Sequence, residues 1–540
     1  MPDLHSPFNA KTWEYLLQNH PDRKLVKDLL NDITHGVRIG YQPTNRAPIV
    51  CDNHASAKTN TAPVAAELER ELTLQRKVGP FLEPPFSHFV GSPMGAIPKK
   101  HSNPPKWRII HDLSWPAGHF TNDGIPQDLF SCSYDSLDSA ICILKHLGPG
   151  ALMSKLDLSD AFRHILVHKD DWELLGSTWP IEVDGQVCTG YFYDAFPPFG
   201  LRSSPALFLK FIAALKFVML EKGTNPIWNY LDDFWTCGLP APSTGCKTNL
   251  DTMLQACEDL GFTVNPDKTV QPSTTLTLLG IELDTLQQEA RIDLERLRET
   301  SAMLDDWVTR KTCTKRQLQS LVGKLNFICS VCRPGRTFLR RMISLLCTVR
   351  HATHHIRLTA AFRRDVAWWR AFLPSWNGCS FFYNDIWSDS RSLELYTDAS
   401  KNGFGAYFAG EWISASFASH RVPASRSIAF KELYAIAAAV TAWAPDLASK
   451  NILFHCDNMA VVEILGSGTS KCANIMTLVR YLFYVCAANN ILLRTVHISG
   501  VDNGLADCLS RFQVDKFHSL APRASRHRTF VPRLDLSTFS

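Results

Sequence analysis

Residues 229–235 read Asn-Tyr-Leu-Asp-Asp-Phe-Trp and set two adjacent acids inside a run of large apolar side chains. Alternation of Trp228, Tyr230 and Asp232 against Leu231, Asp233 and Phe234 predicts two strand segments meeting at a tight turn. Carboxylates among such neighbours are costly unless a metal ion or a buried arginine compensates them. A solvated acidic hairpin tip is the ordinary reading of an Asp-Asp pair. The flanking Tyr230, Leu231, Phe234 and Trp235 count against it here.

A chain of 540 residues is too long for one core, and its length suggests about three or four domains. A net charge of +4 neither demands nor excludes a nucleic-acid partner, because local basic grooves outweigh the total. The first twenty residues carry no apolar signal core, and no apolar run approaches a membrane span: residues 206–220 are broken by Lys210 and Lys216. Sixteen cysteines lie scattered, mostly within apolar runs. That pattern fits reduced thiols in an intracellular, non-secreted protein.

Residues 1–78 read as a poorly packed arm or linker with helical stretches. From 78 to 126 short strand-like runs alternate with prolines, and Lys99, Lys100, Lys106 and Arg108 surround Trp107-Arg108-Ile109-Ile110. Such a basic strand suits phosphates, although on this cluster alone a solvated charged face is the favoured reading. A strand ends at Asp157, a turn follows, and Phe162 lies just beyond. This third acid after apolar neighbours favours one shared metal site over three unrelated burials. Ser203 or Ser204 is positioned to cap a long apolar helix with Pro205 in its first turn. A further helix ends at Gly261, and residues 290–372 are mostly helical and rich in arginine. From about 393 antiparallel strands precede strand-helix alternation, which predicts a mixed sheet with helices on its faces. Arg523, Arg526, Arg528 and Arg533 mark a basic, mobile tail.

With these pieces assembled, residues 80–285 resemble the fingers and palm of a reverse transcriptase, and residues 393–513 resemble its ribonuclease H domain. Leu156-Asp157-Leu158-Ser159-Asp160-Ala161-Phe162, Phe199-Gly200-Leu201-Arg202-Ser203-Ser204-Pro205, Tyr230-Leu231-Asp232-Asp233, Lys268 and Leu279-Gly280 arrive in family order. The segments are most similar to DIRS-like (tyrosine-recombinase) retroelements, residues 512–522 included. The resemblance implies an α+β and α/β multidomain fold, a right-hand polymerase followed by a mixed-sheet nuclease. It divides the chain into an N-terminal arm (1–78), fingers and palm (79–285), helical thumb or connection (286–388), nuclease (389–515) and basic tail (516–540).

The same resemblance implies an RNA-directed DNA polymerase using RNA template, DNA primer and deoxynucleoside triphosphates, and a nuclease acting on the RNA of RNA-DNA hybrids. Two Mg²⁺ per active site are implied, with Mn²⁺ as the alternative. In the palm they would be held by Asp157, Asp232 and the Leu158 carbonyl, with Asp233 in support. Lys99 or Lys100, with Arg108, would clamp the triphosphate, and Gly200 and Arg202 would position template and nucleotide. Phe162 would crowd the sugar 2′ position, and Lys268 would protonate the leaving pyrophosphate. In the nuclease Asp398, Glu432, Asp457 and Asp507 would hold the metals, His497 would aid product release, and Asn458 and Asn503 would touch the hybrid.

Cys329 and Cys332 with His351 and His355 have the look of a zinc site, but both cysteines fall in an apolar helix and read as core. The Arg333–Arg341 stretch suits phosphate contacts about as well as a solvated face. A catalytically dead copy that only binds nucleic acid, or a nuclease with a structural palm, are the competing readings. All seven acids, Asp157, Asp232, Asp233, Asp398, Glu432, Asp457 and Asp507, are present, which favours an active enzyme. Oligomeric state and priming leave no trace in the sequence.

Overall fold

The computed structural model describes all residues except 1–3, 43–47, 100–105, 117, 119, 241–244, 375, 377, 383–387, 390–392, 394, 469, 532 and 540. The molecule is a mixed α+β multidomain protein whose chain divides into two compact units, residues 1–276 and 277–540. Among the described residues no helix is long and apolar enough to cross a membrane.

In the first unit a four-stranded sheet has the order Val270–Ser273, Leu152–Asp157, Asp233–Gly238, Ile227–Tyr230. Strand Leu152–Asp157 is central and pairs antiparallel on both sides. Its odd-numbered residues share one face, so Lys155 and Asp157 point the same way. The opposite face packs into a core shared with helices Ser204–Glu221 and Cys246–Leu260. Helix Ser204–Glu221 is apolar nearly all round and accordingly contributes eight buried residues. Pro205 lies in its first turn, as expected, but Ser203 at the N-cap makes no capping hydrogen bond because its backbone is already helical. A second, five-stranded sheet carries strands Gly176–Val183 and Gln186–Asp194, and a separate hairpin joins Met94–Pro98 to Trp107–His111.

The expected loose arm is instead built into this unit. Asn9 caps helix Ala10–Leu16 and Asp22 caps Arg23–His35. Phe8, Trp13, Leu17, Val26, Leu29 and Ile33 all join the sheet's core. Residues 52–63 are not a linker either, because Ala55–Thr59 and Thr61–Thr73 are helices. The apolar residues of these helices outweigh the polar composition that suggested a poorly packed arm.

A four-stranded sheet begins at the boundary with Thr275–Leu278 and continues in the second unit with Ile281–Asp284, Glu289–Ile292 and Cys379–Phe381, beside helices Leu294–Thr309, Lys315–Ile328 and Ala360–Phe372. A Thr314–Gln317 capping box starts the middle helix. Beyond them the expected mixed sheet separates into two. Tyr396–Ala399, Gly403–Phe408 and Glu411–Ser416 are antiparallel, whereas Ser388–Asp389, Asn451–Cys456 and Leu492–His497 are parallel. The Thr397 carbonyl accepts from the Asn503 side chain at 2.8 Å, a local partner outside the strand ladder. Helix Ile428–Ala442 is buried along almost its whole length, consistent with its alanine-rich sequence.

The basic tail is also packed. Ser525 accepts from the Trp412 indole, Thr529 N–H donates to Trp412 O, and Val531, Leu534 and Phe539 are buried. These apolar residues anchor the segment despite the arginines between them.

Candidate active sites

The Asp-Asp stretch forms the expected hairpin. Ile227–Tyr230 and Asp233–Gly238 pair antiparallel, with Leu231 and Asp232 as the connection and Leu231 in the left-handed region (φ 53°). The strand register sets Asp233 directly opposite Asp157. Leu158 N–H donates to the Asp232 carbonyl at 3.0 Å and Asn265 N–H to the Asp157 carbonyl at 2.8 Å, so four segments converge. Burial, first, raises the carboxyl pKa of both Asp157 and Asp232; the charge of neighbouring carboxylates adds to it, and Lys268 opposes it. Acids whose charged forms are disfavoured, presented with hard oxygen atoms, fit a divalent cation.

Lys268 was expected beside a leaving group. It lies on Asp157 instead, with Nζ 2.8 and 3.0 Å from the two carboxylate oxygens. Lys155, absent from the expected set, pairs with Asp233 at 3.1 Å. Strand alternation, which puts Lys155 on the Asp157 face, was the available signal.

Phe162 is half-buried in a 3-10 turn, Ala161–His164, with ring centroids 5.6 Å from Phe199 and 5.7 Å from Phe208. Gly200 has φ 119°, and a Cβ there would sit 2.0 Å from the His111 carbonyl oxygen. Only glycine allows that approach. His111 N–H donates to Phe199 O at 3.1 Å, tying the loop to the strand that carries Arg108. Lys99 and Arg108 are exposed on this hairpin; Lys100 lies outside the described residues. The Arg202 guanidinium donates to Ile125 O at 2.7 Å and its backbone N–H to Asn122. Arg202 therefore holds the loop at residues 122–125.

In the second unit, ligand oxygens of Asp398, Glu432 and Asp457 lie within 4.8 Å of one another. Asp398 comes from the first antiparallel strand, Glu432 from the middle of the buried helix, and Asp457 from the residue after Asn451–Cys456. Burial, then the charges of Asp398 and Asp457, push Glu432 up to about 9. Burial likewise raises Asp398, opposed by a hydrogen bond from Ser510. This hard, repelling trio fits a divalent cation better than it fits water. Asp507 stands outside the trio; its carboxylate accepts from Arg511 Nε at 2.6 Å, while its charge still acts on Asp398. His497 is exposed at the end of its strand, in register with Cys456, next to Asp457. Neither expected hybrid contact is free: Asn458 caps helix Met459–Ser467 and Asn503 is buried on Thr397 O.

Among the described residues that trio is the one group of three or more His, Cys, Asp or Glu with ligand atoms this close. Cys329 and Cys332 are buried, and burial pushes the Cys332 thiol up to about 12. Arg341 is half-buried and paired with Asp365 at 3.2 Å. It is therefore committed to the protein interior.

Residues 97–283 match the family model described as reverse transcriptase (RNA-dependent DNA polymerase). Three solved structures are similar at 16% identity and cover 92% of this chain. They are the foamy viral protease-reverse transcriptase dRH with ds DNA (TM-score 0.49, 83% of that chain covered), and the foamy viral protease-reverse transcriptase with RNA/DNA hybrid (0.45, 64%) and with dsDNA (0.48, 99%). No curated protein matches the chain.

Proposed function

We propose that this chain, which carries a reverse transcriptase domain over residues 97–283, copies RNA into DNA and degrades the RNA of the resulting hybrid at a second site in residues 396–511. The strand register that opposes Asp157 and Asp233, with Asp232 at the adjoining turn, carries the first half of this reading. The Asp398–Glu432–Asp457 cluster supports the second. The finer kinship with DIRS-like retroelements rests on the sequence segments alone.

When bound, paired Mg²⁺ ions supply charge neutralisation and activation of the attacking oxygen. Asp157 and Asp232, with the Leu158 carbonyl, would hold them in the palm, and Asp398, Glu432, Asp457 and Asp507 in the nuclease. Arg108 and Lys99 bind the triphosphate, the guanidinium matching phosphate oxygens in a fork. Phe162 excludes a sugar 2′-hydroxyl. Lys268, which holds the Asp157 carboxylate, would give a proton to the leaving pyrophosphate. His497, exposed beside Asp457, helps the cleaved strand leave.

Primer extension on an RNA template with Mg²⁺ tests the polymerase. Wild-type protein should extend and Asp232→Asn should lose at least about a hundredfold in rate; equal extension by both would sink the assignment. Cleavage of labelled RNA in a hybrid should vanish in Asp398→Asn while extension survives. Loss of both activities together would show that the two sites are not separate.

A further inference from the structure

Helix Thr61–Thr73 carries Glu67, Arg70 and Glu71 on one face, at i, i+3 and i+4 spacing. That face meets the palm turn that bears Phe162. Asp160, the residue opening the turn, adopts a left-handed conformation (φ 50°), which few non-glycine residues do without support. Its carboxylate is gripped by Arg70 and, at 2.7 Å, by Arg76. Burial works against that charge, yet the two arginines hold Asp160 below the usual carboxylate range. On the other side of Phe162, Arg163 is buried. It reaches Glu71 at 3.0 Å, Asp194 at 2.8 Å and the Phe196 carbonyl at 2.7 Å. Lys77 in turn pairs with Asp194 at 2.7 Å.

Arg70, Arg76, Lys77 and Arg163 balance Glu67, Glu71, Asp160 and Asp194, so the cluster is neutral as a whole. Desolvating so many charges gives little net stability against an apolar core of the same volume. What such an array does supply is one geometry, since each fork and carboxylate accepts few alternatives. Asp160, two residues before Phe162, and Arg163, the residue after it, are both held in this way. The Phe162 ring also rests against Phe199, which with Glu67, Arg70, Asp160 and Arg163 lines a small pocket beside the turn.

We propose that Arg70, Arg76 and the Glu71–Arg163 pair are positioning residues for the nucleotide site: by clasping both sides of Phe162 they set the discrimination between deoxy- and ribonucleotides. The inference rests on the polymerase reading. None of the four touches the reacting atoms.

The test compares single-nucleotide incorporation of a dNTP and the matching rNTP by the full chain, with KM and kcat resolved separately. Arg70→Ala combined with Arg76→Ala should lower the dNTP:rNTP ratio of kcat/KM about tenfold, chiefly through a higher dNTP KM and easier rNTP entry. Its dNTP kcat should remain within about twofold of wild type. Glu71→Gln should move the ratio the same way, and Arg76→Lys should restore most of it. If the alanine pair does not fold, the double lysine variant carries the test and should give an intermediate ratio, because an ammonium keeps the charge but not the fork. An unchanged ratio in any variant that extends overturns the proposal, as does an equal loss of kcat for both nucleotides. Absence of all extension by wild-type protein overturns the polymerase reading itself and is distinguishable from either.

Discussion

Glu432 sits where burial and two neighbouring carboxylates all oppose its ionisation, pushing it up from 4.5 to about 9. A carboxyl whose folded pKa is raised contributes stability while protonated, and that contribution is lost as pH rises from the unfolded value through the folded one. Metal-free protein should therefore lose stability between about pH 5 and 9, and Mg²⁺ should restore progressively more of it across that window. Glu432→Gln should melt higher than wild type at about pH 8 without metal, show a smaller Mg²⁺ increment, and cleave no hybrid. Scanning calorimetry with and without Mg²⁺ checks the first two, and cleavage of a labelled hybrid checks the third. At this scale the acids were legible because carboxylates rarely follow apolar runs without a reason. Their partners were not. Lys155 and Ser510 look ordinary in sequence, and Ser510 reaches Asp398 across 112 residues.

The N-terminal helix Ala10–Leu16 shows how composition misleads about an element. Trp13 is fully buried, packs against Phe8, Phe211 and Phe262, and donates its indole N–H to Leu260 O at 3.0 Å. Trp13→Ala should cost about 3–5 kcal/mol of stability in the first unit, read as a lower denaturant midpoint. A loose arm would show no shift. The hairpin at residues 227–238 was readable, by contrast, because its alternation is local and its turn is short. The contribution of Arg70 and Glu71 of helix Thr61–Thr73 to the Phe162 turn was invisible in the sequence. Those contacts join segments that no local pattern relates.

Within the second unit, the last residues complete the core around helix Ile428–Ala442. Val531 and Leu534 are buried with helix Ile428–Ala442, and the Phe539 ring contacts Tyr481 and Tyr484. Asp365, held between Arg341 at 3.2 Å and Arg480 at 3.4 Å, joins helix Ala360–Phe372 to helix Ala473–Ala488. Burial raises it to about 6 despite the arginines around it. A chain ending at residue 530 should destabilise this unit by about 5–9 kcal/mol, since it removes three buried apolar side chains. Hybrid cleavage should then fail at a temperature where primer extension persists, a difference that paired activity assays measure.

The order of the acids, the strand-turn-strand at Asp232 and Asp233 and the alanine-rich helix of Glu432 follow from the sequence alone, because periodicity and turn chemistry act over a few residues. Which side chains answer those acids was decided only by the tertiary structure. Lys268 turned onto Asp157, Asp507 taken by Arg511 while three other acids meet, a tail anchored by three apolar residues and helix Thr61–Thr73 fastened to the Phe162 turn all depend on packing between segments distant in the chain. Burial and charge pairing at that range are properties of the assembled core, not of any stretch within it.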